Sequence, residues 1–293
     1  MATGTHDHRG WAGGRAANSR SQGARPAVAE SLHMRGAWTA ERIAVAFIVA
    51  VLPPLAGALY EQGAAFMLEL AVALLVTLGW QIVFARLRHS PIGWDGLVTA
   101  IAFVVMAPVA VPLWQIAMAL TFGVVTGEQI FGGRGRAFLN PAAVGLAFLF
   151  FSFPTSASGA TSSLIGSASL PGAVLLVLLG LISWRIIVAA LAGFAVAGLL
   201  AGIADPLGLL IPGSFAFGLI FLGCDSVSTA ATNPGRLIYG ALIGALTVAL
   251  GAAGGAVETS AVVFAVLLGS IFAPVIDHTV VWLHARRRRR RHG

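Results

Sequence analysis

The sequence predicts an all-α integral membrane protein with about ten transmembrane helices, and its composition is the first evidence. Apolar residues make up 58% of the 293 positions, and charged residues only 10%, where an ordinary soluble domain has about 25% charged residues. The mean hydropathy is +0.89. The apolar runs are continuous rather than alternating, which argues against an outer-membrane barrel. Water-soluble, disordered and disulfide-rich secreted classes are excluded as well.

The apolar runs define the predicted helices. A membrane crossing needs about 20 residues. The third and sixth segments are short for that, so we expect one or both of them to be broken or tilted. Residues 1–36 are predicted to be a disordered cytoplasmic tail, 37–285 a single transmembrane domain, and 286–293 a basic cytoplasmic tail. The ten segments are 43–59, 64–84, 96–111, 113–130, 137–153, 171–184, 186–203, 207–223, 237–255 and 261–283.

The arginines predict the topology. All 18 basic residues are Arg, and six of them form the run Arg286 to Arg291. If the N-terminal tail is cytoplasmic, every Arg falls in a tail or an inner loop, as the positive-inside rule requires. We therefore expect a multi-pass protein of the bacterial inner membrane with both termini in the cytoplasm. Residues 154–170 then lie outside, and the basic ends contact anionic lipid rather than nucleic acid.

A weak internal similarity suggests a five-plus-five inverted repeat, an arrangement found in transporters. The stretch that begins at Asp95 (DGLVTA) resembles the one that begins at Asp225 (DSVSTA). Asn140-Pro141 and Asn233-Pro234 each suit the start of a helix, with Asn as the N-cap and Pro first in the helix. Both Asp residues fall on the cytoplasmic side, which simple inversion does not give, so chance similarity stays open as the alternative.

Acidic residues in or at the ends of apolar segments are the candidate ion-pathway groups. A charge at the bilayer centre costs roughly 3 kcal/mol on insertion scales, so such groups tend to be functional. Two alternatives stay open: helix-end groups near the interface, and a structural pair between Asp277 and His278. Glu69 is a further acidic residue within a span, and its alternative is that it faces a polar partner near the outer third of the membrane. The predicted ion-pathway residues are Asp95, Glu128, Asp225 and Asp277.

The remaining motifs predict neither a metal site nor a catalytic residue. The single cysteine, Cys224, excludes internal disulfides and an iron–sulfur cluster held by this chain alone. No histidine spacing fits a zinc site, and Gly132–Arg136 lacks the spacing of a nucleotide-binding loop. The serine-rich stretch after Pro154 has, by composition, the character of a flexible linker.

Three stretches in the right order resemble a known family of membrane subunits. They are Gly127–Ala142 (GEQIFGGRGRAFLNPA), Asp225–Gly244 (DSVSTAATNPGRLIYGALIG) and Phe272–Asp277 (FAPVID). Together they resemble the shared membrane subunit that is called B in the Nqr complex and D in the Rnf complex. These complexes are ion-translocating NADH:quinone and ferredoxin:NAD oxidoreductases. The chain looks like a short, divergent member.

This resemblance implies an FMN joined through its phosphate to Thr161, within the motif Ser158-Gly159-Ala160-Thr161. It also implies a second, noncovalent flavin as an option, a flavin transferase for maturation, and other subunits as partners. Thr155 stands where the family usually has Asp. In the alternative alignment, residues 158–160 match an earlier Ser-Gly-Asp segment, and the acceptor is then either missing or replaced near Ser167–Ser169.

The sequence thus predicts a membrane subunit of an ion-motive electron transport complex that moves Na⁺ or H⁺ and is inactive alone. Two other functions stay open: a small-solute channel or transporter of similar fold without flavin, and a structural membrane anchor. A covalent flavin survives denaturation, so its presence would distinguish the first function from the other two.

Overall fold

The computed structural model describes residues 40–89, 93–109, 111–133, 135–154, 162–203, 213–225, 227–251 and 258–292. The chain divides into two compact units, 1–42 and 43–293. Only residues 40–42 of the first unit are described, and all other described residues belong to the second unit.

The described residues form helices without a β-strand, which confirms the all-α class. Ten helices correspond one by one to the ten predicted segments. Two of them, α4 and α8, continue as short π-helices, Val125–Gln129 and Gly218–Gly223 respectively. The helices are α1 (Ala40–Gln62), α2 (Ala64–Arg88), α3 (Asp95–Met106), α4 (Leu113–Val124), α5 (Pro141–Ser152), α6 (Ser163–Leu178), α7 (Trp184–Leu200), α8 (Gly213–Phe217), α9 (Asn233–Gly251) and α10 (Thr259–His292).

Helix length separates full crossings from shorter elements. Within the described part of the chain, four helices are long and apolar enough to cross a bilayer: α1, α2, α9 and α10. In contrast, α3 has 12 residues, roughly 18 Å at 1.5 Å per residue, against a hydrocarbon core of about 30 Å. The third segment is therefore a short helix, and its tilt or break stays a prediction. The protein is a polytopic membrane protein, and the crossing of each shorter helix remains a prediction.

The sixth segment begins earlier than predicted. We expected a loop to Leu170 and a helix from 171 to 184, whereas α6 runs from Ser163 to Leu178 and contains Pro171. The Ser162 hydroxyl accepts the Ile165 N–H at 3.3 Å as the N-cap. Serine hydroxyls inside the helix donate to carbonyls one turn back, as Ser169 does to Ile165 at 2.7 Å. The serine-rich composition predicted a loop, but these hydroxyl groups form hydrogen bonds with helix carbonyls, so the residues fit within α6.

Helices α7 and α9 approach each other closely because both present small residues at their contact. A Cβ atom added to Gly244 would lie 2.1 Å from the Ala190 carbonyl oxygen, and one added to Gly193 would lie 2.3 Å from that of Ala241. Such backbone approach through glycine and alanine is typical of helix pairs in membranes.

Two of the shortest helical stretches among the described residues, α3 and α8 with its π-helix, are each third in a run of five helices. They meet at Met106, whose Cε lies 3.2 Å from the position of a Cβ added to Gly218. This order agrees with a five-plus-five repeat, which stays a prediction. The similar stretches at Asp95 and Asp225 are not equivalent within it, because one begins α3 and the other follows α8.

Candidate functional site

Side-chain hydrogen bonds bring several arginine-bearing helix ends together in pairs, and we call this side the arginine end. It comprises the ends of α2 and α4 and the starts of α5, α7 and α9. Arg88 contacts Gln129, and Arg185 donates to Asn233 Oδ1 at 2.7 Å. The four predicted ion-pathway acids lie near this end, each in a different setting.

Glu128 is buried in the π-helix that extends α4, with 4% of its surface exposed. The Gln129 amide donates to Glu128 Oε1 at 3.0 Å. The Gln129 Oε1 atom in turn accepts from Arg88 at 3.2 Å, and Arg88 also donates to the Gln129 carbonyl. Gln129 thus links the Arg88 guanidinium to the buried Glu128 carboxylate through two hydrogen bonds.

Asp95 is the first residue of α3 and is half-buried. An acid at this position interacts favourably with the positive end of the helix dipole. Next to it, the Gln81 amide, oriented by its hydrogen-bond partners, donates to the Gly93 carbonyl at 3.3 Å and accepts from Gly96 N–H at 2.8 Å. This bridge ties the start of α3 to α2.

Asp225 follows the π-helix of α8 and has 4% of its surface exposed. The carbonyls of that π-helix are held from two sides: the Tyr239 hydroxyl donates to Gly223 at 2.9 Å, and the Asn140 amide donates to Phe221 at 3.4 Å. Since π-helices occur frequently at functional sites, the two acids that lie in or just after one, Glu128 and Asp225, are the strongest ion-site candidates.

Asp277, on α10, binds the segment that precedes α9. Its Oδ2 accepts the Ala231 N–H at 2.6 Å, and its Oδ1 accepts the N–H and the hydroxyl of Thr232 at 3.0 and 2.5 Å. The alternative of a structural pair with His278 is not observed: His278 is exposed, and adjacent residues on a helix do not face each other. Both carboxylate oxygens therefore hold the backbone on which Asp225 lies.

The two Asn-Pro starts differ. Asn140 caps α5 as expected, because its Oδ1 accepts the N–H groups of Ala142 and Ala143 at 3.0 and 3.4 Å. The prediction for Asn233 is wrong. Thr232 takes that place, since its hydroxyl accepts the Gly235 N–H at 3.1 Å, and Asn233 is the first residue of α9.

The predicted flavin motif, Ser158, Gly159, Ala160 and Thr161, lies outside the described residues. The next residue, Ser162, lines a cavity of about 310 Å³ at the end of the helices opposite the arginine end. Apolar residues make up six of its ten lining residues. Its lining comprises Glu61, Gln62, Val105, Met106, Ala107, Pro108, Val109, Ser162, Ile165 and Thr259.

Sequence reasoning missed several polar residues of these sites. Gln129 and Tyr239 lie within predicted helices, and nothing in their spacing marks them as partners of an acid or of a π-helix. Gln115 was missed too: like Glu69, it is buried with a side-chain oxygen that has no hydrogen-bond partner among the described residues. Gln115, Gln129 and Tyr239 are each a polar residue within a strongly apolar run, and that feature of the sequence could have identified them.

Comparison with known proteins agrees with this architecture. The family model described as NQR2, RnfD, RnfE matches residues 27–164 and 156–284. Curated relatives named as the B subunit of Na(+)-translocating NADH-quinone reductase include proteins from Chromohalobacter salexigens, Pseudomonas aeruginosa and Yersinia pestis. They are 33%, 33% and 36% identical, over 72–73% of this chain and 64%, 66% and 65% of their own length.

The chain therefore spans about two thirds of the length of these relatives. The family match covers most of the ten helices, including both π-helices and all four acids. On this evidence the chain belongs to the NQR2, RnfD, RnfE family of membrane subunits.

Proposed function

We propose that this chain is the membrane subunit of an ion-motive electron transport complex of the Nqr or Rnf type. It passes electrons through an FMN bound covalently to Thr161 and contributes to Na⁺ or H⁺ translocation. The cavity beside Ser162 carries this proposal. It is mostly apolar, and its lining includes Ser162, the residue that follows Thr161 in the sequence. The names of the relatives support the ion-motive redox assignment.

The proposed orientation places the arginine end and both termini in the cytoplasm of a bacterial cell. Arg86, Arg88, Arg136, Arg185 and Arg236 then all lie on the inner side of the inner membrane, as positive-inside requires. The cavity beside Ser162 opens on the outer side, where a tethered cofactor is protected from loss by dilution.

The residues of that cavity fit an FMN. Val105, Met106, Pro108 and Val109 supply an apolar wall for a planar ring, while Gln62 at the edge supplies amide groups for its polar rim. The ester to Thr161 would place the phosphate near the start of α6, whose N-terminal dipole end favours an anion. When bound, the flavin supplies electron-carrying chemistry, and the chain's own residues fix its position and exclude water.

The acids Asp95, Glu128, Asp225 and Asp277 are proposed to form the ion pathway at the arginine end. Glu128 has the clearest setting, because Arg88 and Gln129 hold its side chain while it remains buried. Asp277 acts through the segment that it holds, which carries Asp225.

The proposed partners follow from the same assignment. Other subunits of the complex supply the electron donor and acceptor, since the chain is not active alone, and a flavin transferase attaches the FMN. Membrane lipid contacts the exposed apolar helix faces. For a second, noncovalent flavin, the candidate seat is a polar cavity of about 260 Å³ at the arginine end, lined by Trp184, Arg185, Cys224 and Arg236 among others.

Intact-mass measurement of the chain, produced with a flavin transferase, tests the flavin. We expect the mass of the bare chain plus one esterified FMN, with in-gel fluorescence after denaturation. Thr161→Ala should lose both signals, whereas the matched control Ser162→Ala should keep them. A bare-chain mass in the wild-type protein would contradict the flavin assignment and favour a transporter without flavin.

A further inference from the structure

Glu69 is a buried carboxylate that the proposed pathway at the arginine end does not use. It lies in α2 with 5% of its surface exposed, and its Oε2 has no hydrogen-bond partner among the described residues. An isolated carboxylate in an apolar span is costly. Such a group is retained when it takes up a cation or a proton.

Gln115, near the start of α4, presents a second orphaned oxygen. Its side chain is 8% exposed, and its Oε1 lacks a hydrogen-bond partner within the described part of the chain. Helices α2 and α4 pack against each other, so both orphaned oxygens belong to one helix pair.

The relative register of these helices sets the two residues at neighbouring depths. Trp80 donates to Thr121, and Arg88 to Gln129, with the same separation of 41 positions. The helices therefore run parallel, with the same register at both contacts. Glu69 lies 11 residues before Trp80, and Gln115 lies six residues before Thr121. The two residues thus differ in depth by five residues, roughly 7.5 Å along the axis at 1.5 Å per residue, and a cation between the helices can contact both extended side chains at this offset.

The C-terminal end of α3 reaches the same depth. Gln81 binds Gly96 at the start of α3, and α3 runs ten residues from there to Met106. The same rise along α2 leads from Gln81 to position 71, within two residues of Glu69. The last carbonyls of a helix lack intrahelical partners and carry the negative end of its dipole, and Pro108 has no N–H to satisfy them.

This end of α3 also forms part of an opening. Val105, Met106 and Ala107 line the cavity of about 310 Å³ beside Ser162. The cavity thus connects the end of α3 to the side of the protein opposite the arginine end. The exposed Glu61 at its edge adds a negative charge that attracts cations.

We propose that Glu69, Gln115 and the C-terminal carbonyls of α3 form a Na⁺ site in the half of the membrane away from the arginine end. The last residues of α3, which belong to this site, also line the cavity beside Ser162. A carboxylate, an amide oxygen and helix-end carbonyls are the all-oxygen set that hard cations prefer, and half-helix C-termini serve this purpose in transporters. This inference rests on the proposed ion-translocating function, and it adds a second Na⁺-binding site on the side away from the arginine end.

The test uses the whole complex, purified and reconstituted in proteoliposomes. Three quantities are measured: the Na⁺ concentration for half-maximal stimulation of turnover, redox-driven uptake of radioactive Na⁺, and the rise in Tm on replacing choline chloride with NaCl. In Glu69→Gln we expect the half-maximal Na⁺ concentration to rise about tenfold or more, a tenfold change being about 1.4 kcal/mol of binding. The Na⁺-dependent rise in Tm should become smaller, and the part that remains comes from the acids at the arginine end.

Gln115→Leu should shift the half-maximal Na⁺ concentration in the same direction by several-fold. Glu258→Gln, which neutralises an exposed carboxylate at the same end of the helices, is the matched control and should change it less than about twofold. If Glu69→Gln does not assemble, Glu69→Asp, which withdraws the carboxylate by one methylene, and Gln115→Leu decide through the same measurements.

Wild-type Na⁺ dependence in Glu69→Gln, or in Glu69→Asp together with Gln115→Leu, would overturn the site while leaving the proposed function intact. A wild-type complex that shows neither Na⁺ stimulation nor Na⁺ uptake would instead contradict Na⁺ translocation itself. The two failures are therefore distinguishable.

Discussion

The carboxylate of Asp277 accepts the hydroxyl hydrogen of Thr232 at 2.5 Å, and the same threonine hydroxyl accepts the N–H of Gly235 at 3.1 Å. One side chain therefore caps α9 and links it to α10. Glycine is needed at position 235, because an added Cβ would lie 2.4 Å from Thr232 Oγ1 and 2.5 Å from Asp277 Oδ1.

Asp277→Asn should lower the stability of the protein by about 1.5 kcal/mol, the lower value for hydrogen bonds to a charged group, because the contact is partly exposed. The new amide nitrogen would face a donor, since Asp277 accepts three hydrogen bonds. Thermal unfolding in detergent should show a lower Tm. His278→Asn, at the exposed neighbouring position, is the control and should leave the Tm unchanged. An unchanged Tm in Asp277→Asn would show that the carboxylate does not stabilise the fold.

The sequence allowed the ten helices to be predicted, because long apolar runs separated by Arg, Gly and Pro are a strong signal. It also allowed Asn140 to be identified as an N-cap. It failed at Asn233, because the preceding Thr232 competes for the same role and Asp277, 45 residues away, decides the outcome. Local propensity cannot register such a distant partner.

The candidate sites were less predictable than the fold. Glu128 could be predicted as an ion-pathway residue because it is an acid in an apolar segment. Its surroundings, however, depend on the π-helix and on Arg88 from another helix. The roles of Gln115 and Glu69 became visible only from the register between α2 and α4. Sequence pattern gives the number of helices, whereas the register between them requires side-chain contacts.

Gly244→Ala should strongly impair folding of the chain. A methyl group at Gly244 would lie 2.1 Å from the Ala190 carbonyl oxygen, so α7 and α9 must separate, and overpacking of this kind typically costs about 1–3 kcal/mol. Gly79→Ala is the matched control, because a Cβ there meets nothing within 4 Å. Expression and Tm of the two variants in detergent compare them directly, and equal values would show that the α7–α9 contact has room for a methyl group.

The topology can be measured by cysteine labelling in intact cells. The native Cys224 is buried and should not react, whereas Ser163, the first residue of α6, is exposed. A membrane-impermeant maleimide should label Ser163→Cys in intact cells and Arg136→Cys only after permeabilisation. The reverse pattern would show that the arginine end faces outward.

Glu128→Gln should abolish ion-coupled turnover while leaving the complex assembled. The substituted amide keeps an oxygen that can accept from Gln129, which now donates to Glu128 at 3.0 Å, so the local hydrogen bond survives. The negative charge is lost, and with it the attraction for a cation in a site that excludes water. Thr126→Val is the matched control in the same π-helix, because its exposed hydroxyl only donates to the Phe122 carbonyl at 2.6 Å.

The measurement is redox-driven Na⁺ uptake per quinone reduced, taken together with the yield of assembled complex, and it separates the two variants. Uptake at the wild-type ratio in Glu128→Gln would show that the hydrogen bonds joining Arg88, Gln129 and Glu128 have a structural role only.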